Sequence, residues 1–197
     1  MTDVPIVLAS RSPRRRELLT QMGIGPFTVL VPEGPETAPP GLTPDALVVH
    51  LAVEKAAAAA ALAEPGALLI AADTIVVLDG DILGKPKNEA EAFSMLRRLA
   101  GRTHVVYTGL ALRRESLLRT AWERTTVHFR SLTDEEIRAY IATGEPMDKA
   151  GAYGIQGRGS VLVEGIEGDF FTVMGLPVCR LGQMLPEFGV FPLTGPA

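Results

Sequence analysis

The stretch 67-ALLIAADTIVVLDGDIL-83 decides how the chain folds. Ala67–Asp73 is an unbroken apolar run ending on a carboxylate, which reads as a buried strand. Ile75–Leu78 and Ile82–Leu83 flank Asp79-Gly80, and Asp-Gly between apolar runs is the strongest short hairpin signal. Asp73 is therefore expected to terminate a strand, where α/β folds present site residues. A carboxylate there can bind Mg²⁺ or take a proton from water. It can equally cap a turn.

Working outward, Pro5–Ala9 and Phe27–Val31 read as further strands. Between them, Ser12-Pro13 opens a helix whose apolar face is Leu18, Leu19 and Met22, with Gly23 at its end. Pro32–Pro44 is an exposed loop, and Asp45–Ala63 an alanine-rich helix that stops at Pro65-Gly66. Downstream, Asn88 with Glu91 and Thr133 with Glu136 predict two capped helices, backed by Gly101 and Gly144. Thr103–Arg113 and Thr120–Phe129 are long strands, and Gly151–Gly159 is a glycine-dense loop. Val161–Val163 and Phe170–Val173 read as strands, and Pro177 begins a last helix toward Phe188. Strands and helices mix without strict alternation. The expectation is one α/β fold with a mixed sheet, in two lobes around a cleft.

Composition narrows the function classes. The 197 residues are 47% hydrophobic and 21% charged, ordinary for a globular chain with a real core. The formal net charge of −4 argues against a globally basic nucleic-acid binder. The single cysteine, Cys179, excludes an internal disulfide and a cysteine-rich zinc site. His50, His104 and His128 are too scattered for a histidine zinc pair. Ala56–Ala63 is the longest strongly apolar run, far short of a membrane span, so a cytoplasmic location is the expectation.

Four segments carry candidate chemistry. In Ser10-Arg11-Ser12-Pro13-Arg14-Arg15-Arg16, three arginines fill the first helical turn, where the helix dipole disfavours cations. A bound phosphate would reverse the sign of that arrangement, and a solvated basic face is the equal alternative. Asp73 is the second candidate. In Gly84-Lys85-Pro86 the spacing of a Walker-type phosphate loop is absent, yet a lysine held between glycine and proline can meet a phosphate as a point charge. Fourth, Gly151–Gly159 places Gln156 among four glycines, and its amide offers both donor and acceptor to a base edge. Glu36 and Lys55 read as surface charges by themselves, and Asp148-Lys149 is an ionic pair of unassigned role.

In order, LASRSPRRRELL, EKA, AADTIVVLDGDILGKP, LAGRTHVVYTGLAL, GEPMDKAGAYGIQGRG and GLPV closely resemble the Maf family of nucleoside triphosphate pyrophosphatases, from about Ile6 to Leu181. The resemblance implies a single Maf/Ham1-like domain over residues 1–197. Its fold would be α/β and two-lobed, with an elongated mixed sheet flanked by helices and a central cleft. It implies cleavage between the α- and β-phosphates of a nucleoside triphosphate, dependent on Mg²⁺ or Mn²⁺. It implies housekeeping against non-standard nucleotides, with a link to septum formation. It predicts no membrane or stable nucleic-acid partner and is compatible with a homodimer.

Carried over by position, Asp73 resembles the catalytic base, and Ser10, Arg15, Lys55 and Lys85 the lining around the triphosphate, with Lys85 beside the chemistry. Glu36 resembles the second acidic residue at the metal, with Asp73 the first; Pro35 stands where the family usually has another acid. Arg14, Thr74 and Gln156 resemble the specificity positions of the dTTP/UTP branch. Two other readings compete. A non-catalytic nucleotide-binding regulator of division would need no base, and Asp73 and Glu36 argue against it. A nucleic-acid binder using Arg11–Arg16 lacks an interleaved aromatic stripe.

Overall fold

The computed structural model describes residues 4–31 and 37–193. In chain order the elements are β1 (Ile6–Leu8), α1 (Pro13–Gln21), β2 (Phe27–Val29), α2 (Pro44–Ala60), β3 (Leu68–Leu78) and β4 (Asp81–Leu83). There follow α3 (Glu89–Leu99), β5 (Thr103–Arg114), β6 (Leu117–Phe129), α4 (Asp134–Ile141), β7 (Val163–Glu167), α5 (Phe170–Met174) and α6 (Val178–Met184). Short 3₁₀ turns fill Glu145–Asp148, Ala150–Ala152, Gly157–Leu162 and Leu185–Phe188.

Among the described residues, seven strands form one sheet in the order β2-β1-β3-β5-β6-β7, with β4 on β3. β1 is parallel to both neighbours, Leu8 lying opposite Val29 and Ile70, whereas β4 and β7 are antiparallel to β3 and β6. The sheet is mixed and the fold α/β, as expected. The Asp79-Gly80 turn has positive φ at both residues, 53° and 87°, the two-residue geometry that matches strand twist.

Three expectations are corrected. Asp73 does not terminate its strand: β3 runs on to Leu78, because Thr74, Ile75, Val76 and Val77 are β-branched and favour extended backbone. Phe170–Val173 is helical, since the Asp169 carboxylate accepts from the Thr172 backbone N–H at 2.7 Å and its hydroxyl at 2.8 Å, an N-terminal cap. Val161 and Leu162 lie in a 3₁₀ turn, held where Ser160 Oγ donates to the Gly157 carbonyl, and the strand starts only at Val163. Pro32–Glu36, the first part of the predicted loop, lies outside the described residues. Pro44 is the first residue of α2, as the fixed φ of proline permits.

The chain divides into two compact units. The first comprises Met1–Asp73, Thr108–Glu123 and Gly175–Ala197. Its core under α2 is built from small side chains: Ala52, Ala56 and Ala59 of the helix against Val7, Ala9, Leu69, Ala71 and Ala111. Small residues let the helix come down onto the strands. At Gly109 of β5 a Cβ would lie 2.3 Å from the Val48 carbonyl oxygen, so only glycine fits under α2 there. Strand side chains alternate, so Leu69, Ala71 and Asp73 share the face of β3 that looks toward α2.

The second unit comprises Thr74–Tyr107 and Arg124–Met174. Asn88 caps α3 by accepting from the Glu91 N–H at 2.9 Å, and α4 carries a complete Thr133–Glu136 capping box. These helices bury Leu96, Leu99, Ile137 and Ile141 against Val76, Leu78, Leu83 and Phe129. Each fully buried aliphatic contributes about 1.5–3 kcal/mol of transfer free energy.

Candidate functional site

In the first unit, Asp73 and Lys55 meet as an ion pair. Asp73 is only 7% exposed in the middle of β3, and an isolated carboxylate in that position would be strongly disfavoured. Lys55 comes from α2, whose buried residues Val48, Leu51, Ala52, Ala56 and Ala59 recur at helical spacing. Lys55 interrupts that stripe, so its stem lies along apolar surface and its ammonium reaches the carboxylate. Lys55 is thus no surface charge. The signal was present in the sequence as a lysine on the apolar face of a helix.

Ser10 and Arg15 form a second cluster in the same unit. Ser10 follows the carboxyl end of β1 and is 7% exposed. Arg15 donates from Nε to the Gly175 carbonyl at 2.7 Å, and from one terminal nitrogen to Ser10 Oγ at 3.0 Å and the Ala72 carbonyl at 2.8 Å. At least three of its five donors are therefore committed to the protein. This guanidinium crosslinks the β1–α1 connection, the residue before Asp73, and Gly175 of the GLPV segment. Arg14 is half-buried on α1, and its side chain makes no hydrogen bond or ion pair among the described residues. No acidic side chain occupies the first turn of α1, and Ser12 at its N-terminus makes no side-chain cap. The dipole end therefore keeps its positive character.

In the second unit, Thr74 points to the face of β3 opposite Asp73. Lys85 is exposed and unpaired among the described residues. The Gly151 N–H donates to the Gly84 carbonyl at 3.0 Å, joining the Gly84-Lys85-Pro86 segment to the start of the glycine-rich loop. A Cβ at Gly151 would sit 3.0 Å from the Val76 side chain, and φ there is +68°, so glycine is required twice over. Gln156 is exposed. Asp148 and Lys149 pair at 2.6 Å, and Lys149 Nζ also donates to the Glu145 carbonyl. Glu145 and Tyr140, which the motif reading did not single out, organise this loop. The carboxylate lies below its usual range: burial pushes it up, but N–H donors from Arg158 and Gly159, the Tyr140 hydroxyl and Lys149 outweigh that.

Glu36 lies outside the described residues. Among the described residues no group of three His, Cys, Asp or Glu side chains is placed to hold a metal. A lone buried carboxylate suits Mg²⁺ or Mn²⁺ arriving with phosphate oxygens, since such ions commonly take one or two carboxylates and complete their shell with substrate and water. No described helix is long and apolar enough to cross a membrane.

The Maf-like protein family model matches residues 5–188. A dTTP/UTP pyrophosphatase of Symbiobacterium thermophilum is 53% identical over 192 residues, covering 98% of each chain. One from Pelotomaculum thermopropionicum is 52% identical over 186 residues, 93% of this chain and 96% of the relative. Among solved structures, a HAM1 protein from Coxiella burnetii is similar over 93% of this chain and 99% of that one, with a TM-score of 0.56 and 16% identity, a likeness of fold. With the family model spanning nearly the whole chain and relatives matching at half their positions, this chain belongs to the Maf family.

Proposed function

We propose that the chain is a nucleoside triphosphate pyrophosphatase that hydrolyses dTTP and UTP to the monophosphate and pyrophosphate. The observation that carries this reading is Asp73, a buried carboxylate held by Lys55 in a chain half identical to dTTP/UTP pyrophosphatases. Asp73 takes a proton from the attacking water. The water oxygen bonds to phosphorus as the α–β bridging oxygen leaves with its electron pair on pyrophosphate. Lys55 holds the Asp73 carboxylate in place through their ion pair, and with Lys85 supplies positive charge toward a polyanion. Ser10 and Arg15 hold the β1–α1 connection in place beside Ala72. A divalent cation held by Asp73 and Glu36 supplies charge neutralisation and a more acidic water when bound.

Arg14, Thr74 and Gln156 are the residues we assign to base selection. Thymine and uracil present acceptor, donor and acceptor along O2, N3–H and O4. The Gln156 amide can accept from N3–H and donate to a carbonyl, whereas Arg14 can only donate. Cytosine lacks the N3–H and would face a donor with a donor, at a cost of about 1–3 kcal/mol. The proposed setting is the cytoplasm, where such nucleotides are made and used.

The test is pyrophosphate release from dTTP, UTP, CTP and 7-methyl-GTP under one concentration of Mg²⁺ or Mn²⁺, with and without chelator. The expected result is the highest kcat/KM for dTTP and UTP, and loss of turnover in chelator. Preference for CTP or 7-methyl-GTP overturns the substrate assignment, and full activity in chelator overturns the metal requirement.

A further inference from the structure

The backbone of the loop that carries Gln156 is held by one carboxylate. Glu145 Oε2 accepts from the Arg158 N–H at 2.9 Å, and Oε1 accepts from the Gly159 N–H at 3.0 Å and the Tyr140 hydroxyl at 2.9 Å. The Tyr140 oxygen in turn accepts from the Gly154 N–H at 3.2 Å. Three backbone donors between residues 154 and 159 thus converge on a Glu145–Tyr140 couple. Charge-assisted bonds of this kind are roughly twice as strong as neutral ones.

The glycines are shaped to this clasp. A Cβ at Gly157, where φ is +67°, would lie 2.8 Å from Glu145 Oε2. One at Gly159 would lie 2.3 Å from the Gly154 carbonyl and 2.6 Å from the Tyr140 hydroxyl. The loop therefore closes on itself only with hydrogen at these positions, and only around an acceptor at its centre. Lys149 packs under Gly154, and its Nζ donates to the Glu145 carbonyl, bracing the residue from behind. Of the residues enclosed, Ile155 and Tyr153 are buried and Gln156 alone presents an amide outward.

We propose that Glu145 is the positioning residue for base discrimination: by gathering the Arg158 and Gly159 N–H groups and the Tyr140 hydroxyl it fixes the loop whose Gln156 amide meets the base. Glu145 touches no substrate in this role. The proposal rests on the reading of Gln156 as the base-reading residue.

Glu145→Gln keeps the side chain's size but turns one acceptor into a donor facing an N–H donor. The expected result is a roughly 10-fold fall in the UTP-over-CTP ratio of kcat/KM, the effect of one spoiled hydrogen bond to a charged, part-buried acceptor. It should arise mainly as a raised KM for UTP, with faster amide exchange at Arg158 and Gly159. Tyr140→Phe, which deletes only a hydroxyl, should act in the same direction by a smaller factor and guards against a misfolded first variant. In a Gln156→Ala background, Glu145→Gln should change the ratio no further.

An equal loss on UTP and CTP with the ratio intact, or additive effects of the two variants, overturns the positioning role. If Gln156→Ala alone leaves the ratio unchanged, base reading by Gln156 is what fails. The clasp then stands on amide exchange: acceleration in Glu145→Gln supports it, and unchanged exchange overturns it.

Discussion

Replacing Lys55 by Met leaves Asp73 as a charge without its cation inside the first unit. Breaking a fully buried ion pair by removing one partner costs about 3–5 kcal/mol. Here the lysine side chain keeps 23% of its exposure and the aspartate 10%, so water screens part of the charge. The cost falls to about 2–3 kcal/mol, and Tm drops by about 5–10 °C for a chain of this length. Asp73→Asn alone is milder, about 1–2 kcal/mol, since the long lysine stem can carry its ammonium toward solvent. The double variant Lys55→Met/Asp73→Asn restores packing without charge and should be more stable than Lys55→Met alone. Urea unfolding of the four proteins gives the coupling directly, expected at about 1–2 kcal/mol. A coupling below about 0.3 kcal/mol, the usual additivity error, refutes the account of Lys55 as the residue that makes a carboxylate tolerable in β3.

Asp73→Asn should cut kcat by about 10²–10⁴-fold while nucleotide binding persists, measured by turnover and equilibrium titration. Retention of more than a tenth of the activity excludes Asp73 as the base. Gly109→Ala drives a methyl group into the Val48 backbone and should cost about 3 kcal/mol or more, read as lowered Tm, with loss of activity because α2 carries Lys55. His104 is 2% exposed, its Nε2 sits 2.7 Å from the Tyr153 hydroxyl, and burial, with His128 a lesser cause, lowers its pKa to about 4. The unfolded chain binds that proton near 6.5 and the folded chain only near 4, so stability is intact above pH 6.5 and declines as pH falls toward 4, by roughly 3 kcal/mol in all. His104→Gln, which cannot titrate, should flatten that slope in urea midpoints measured from pH 7 to pH 4.

Signals that act within a few residues were legible in the chain itself. The Asp79-Gly80 hairpin, the Asn88 and Thr133 caps and the Pro13 helix start all stand where their sequence places them. Each depends on a turn's φ requirement or on a side chain bonding a backbone group three residues away. Extended and helical backbone are not distinguished by local pattern at Phe170–Val173, since a short aromatic and β-branched run is ambiguous until Asp169 bonds Thr172. Local pattern marks Asp73, Lys85 and Gln156 as candidates, and the family motifs add Lys55 and Glu36, but motif order carries no distances.

Local pattern along the chain supplies the inventory: an α/β chain with one buried-strand carboxylate, scattered cations and a glycine-dense loop. Which of these groups meet is set by the packing of segments far apart in the chain. Lys55 reaches Asp73 because strand alternation turns residue 73 toward α2 and the alanine face lets that helix come close. Arg15 is committed to Gly175 and Ala72 because their carbonyl groups are presented to it by segments 160 and 57 residues away along the chain. Glu145 clasps the Gln156 loop through N–H groups 13 and 14 residues on. A buried charge or backbone donor must find a partner, yet the partner's identity depends on which segments are brought within 3 Å. Packing of distant segments sets that distance, and no local pattern encodes it.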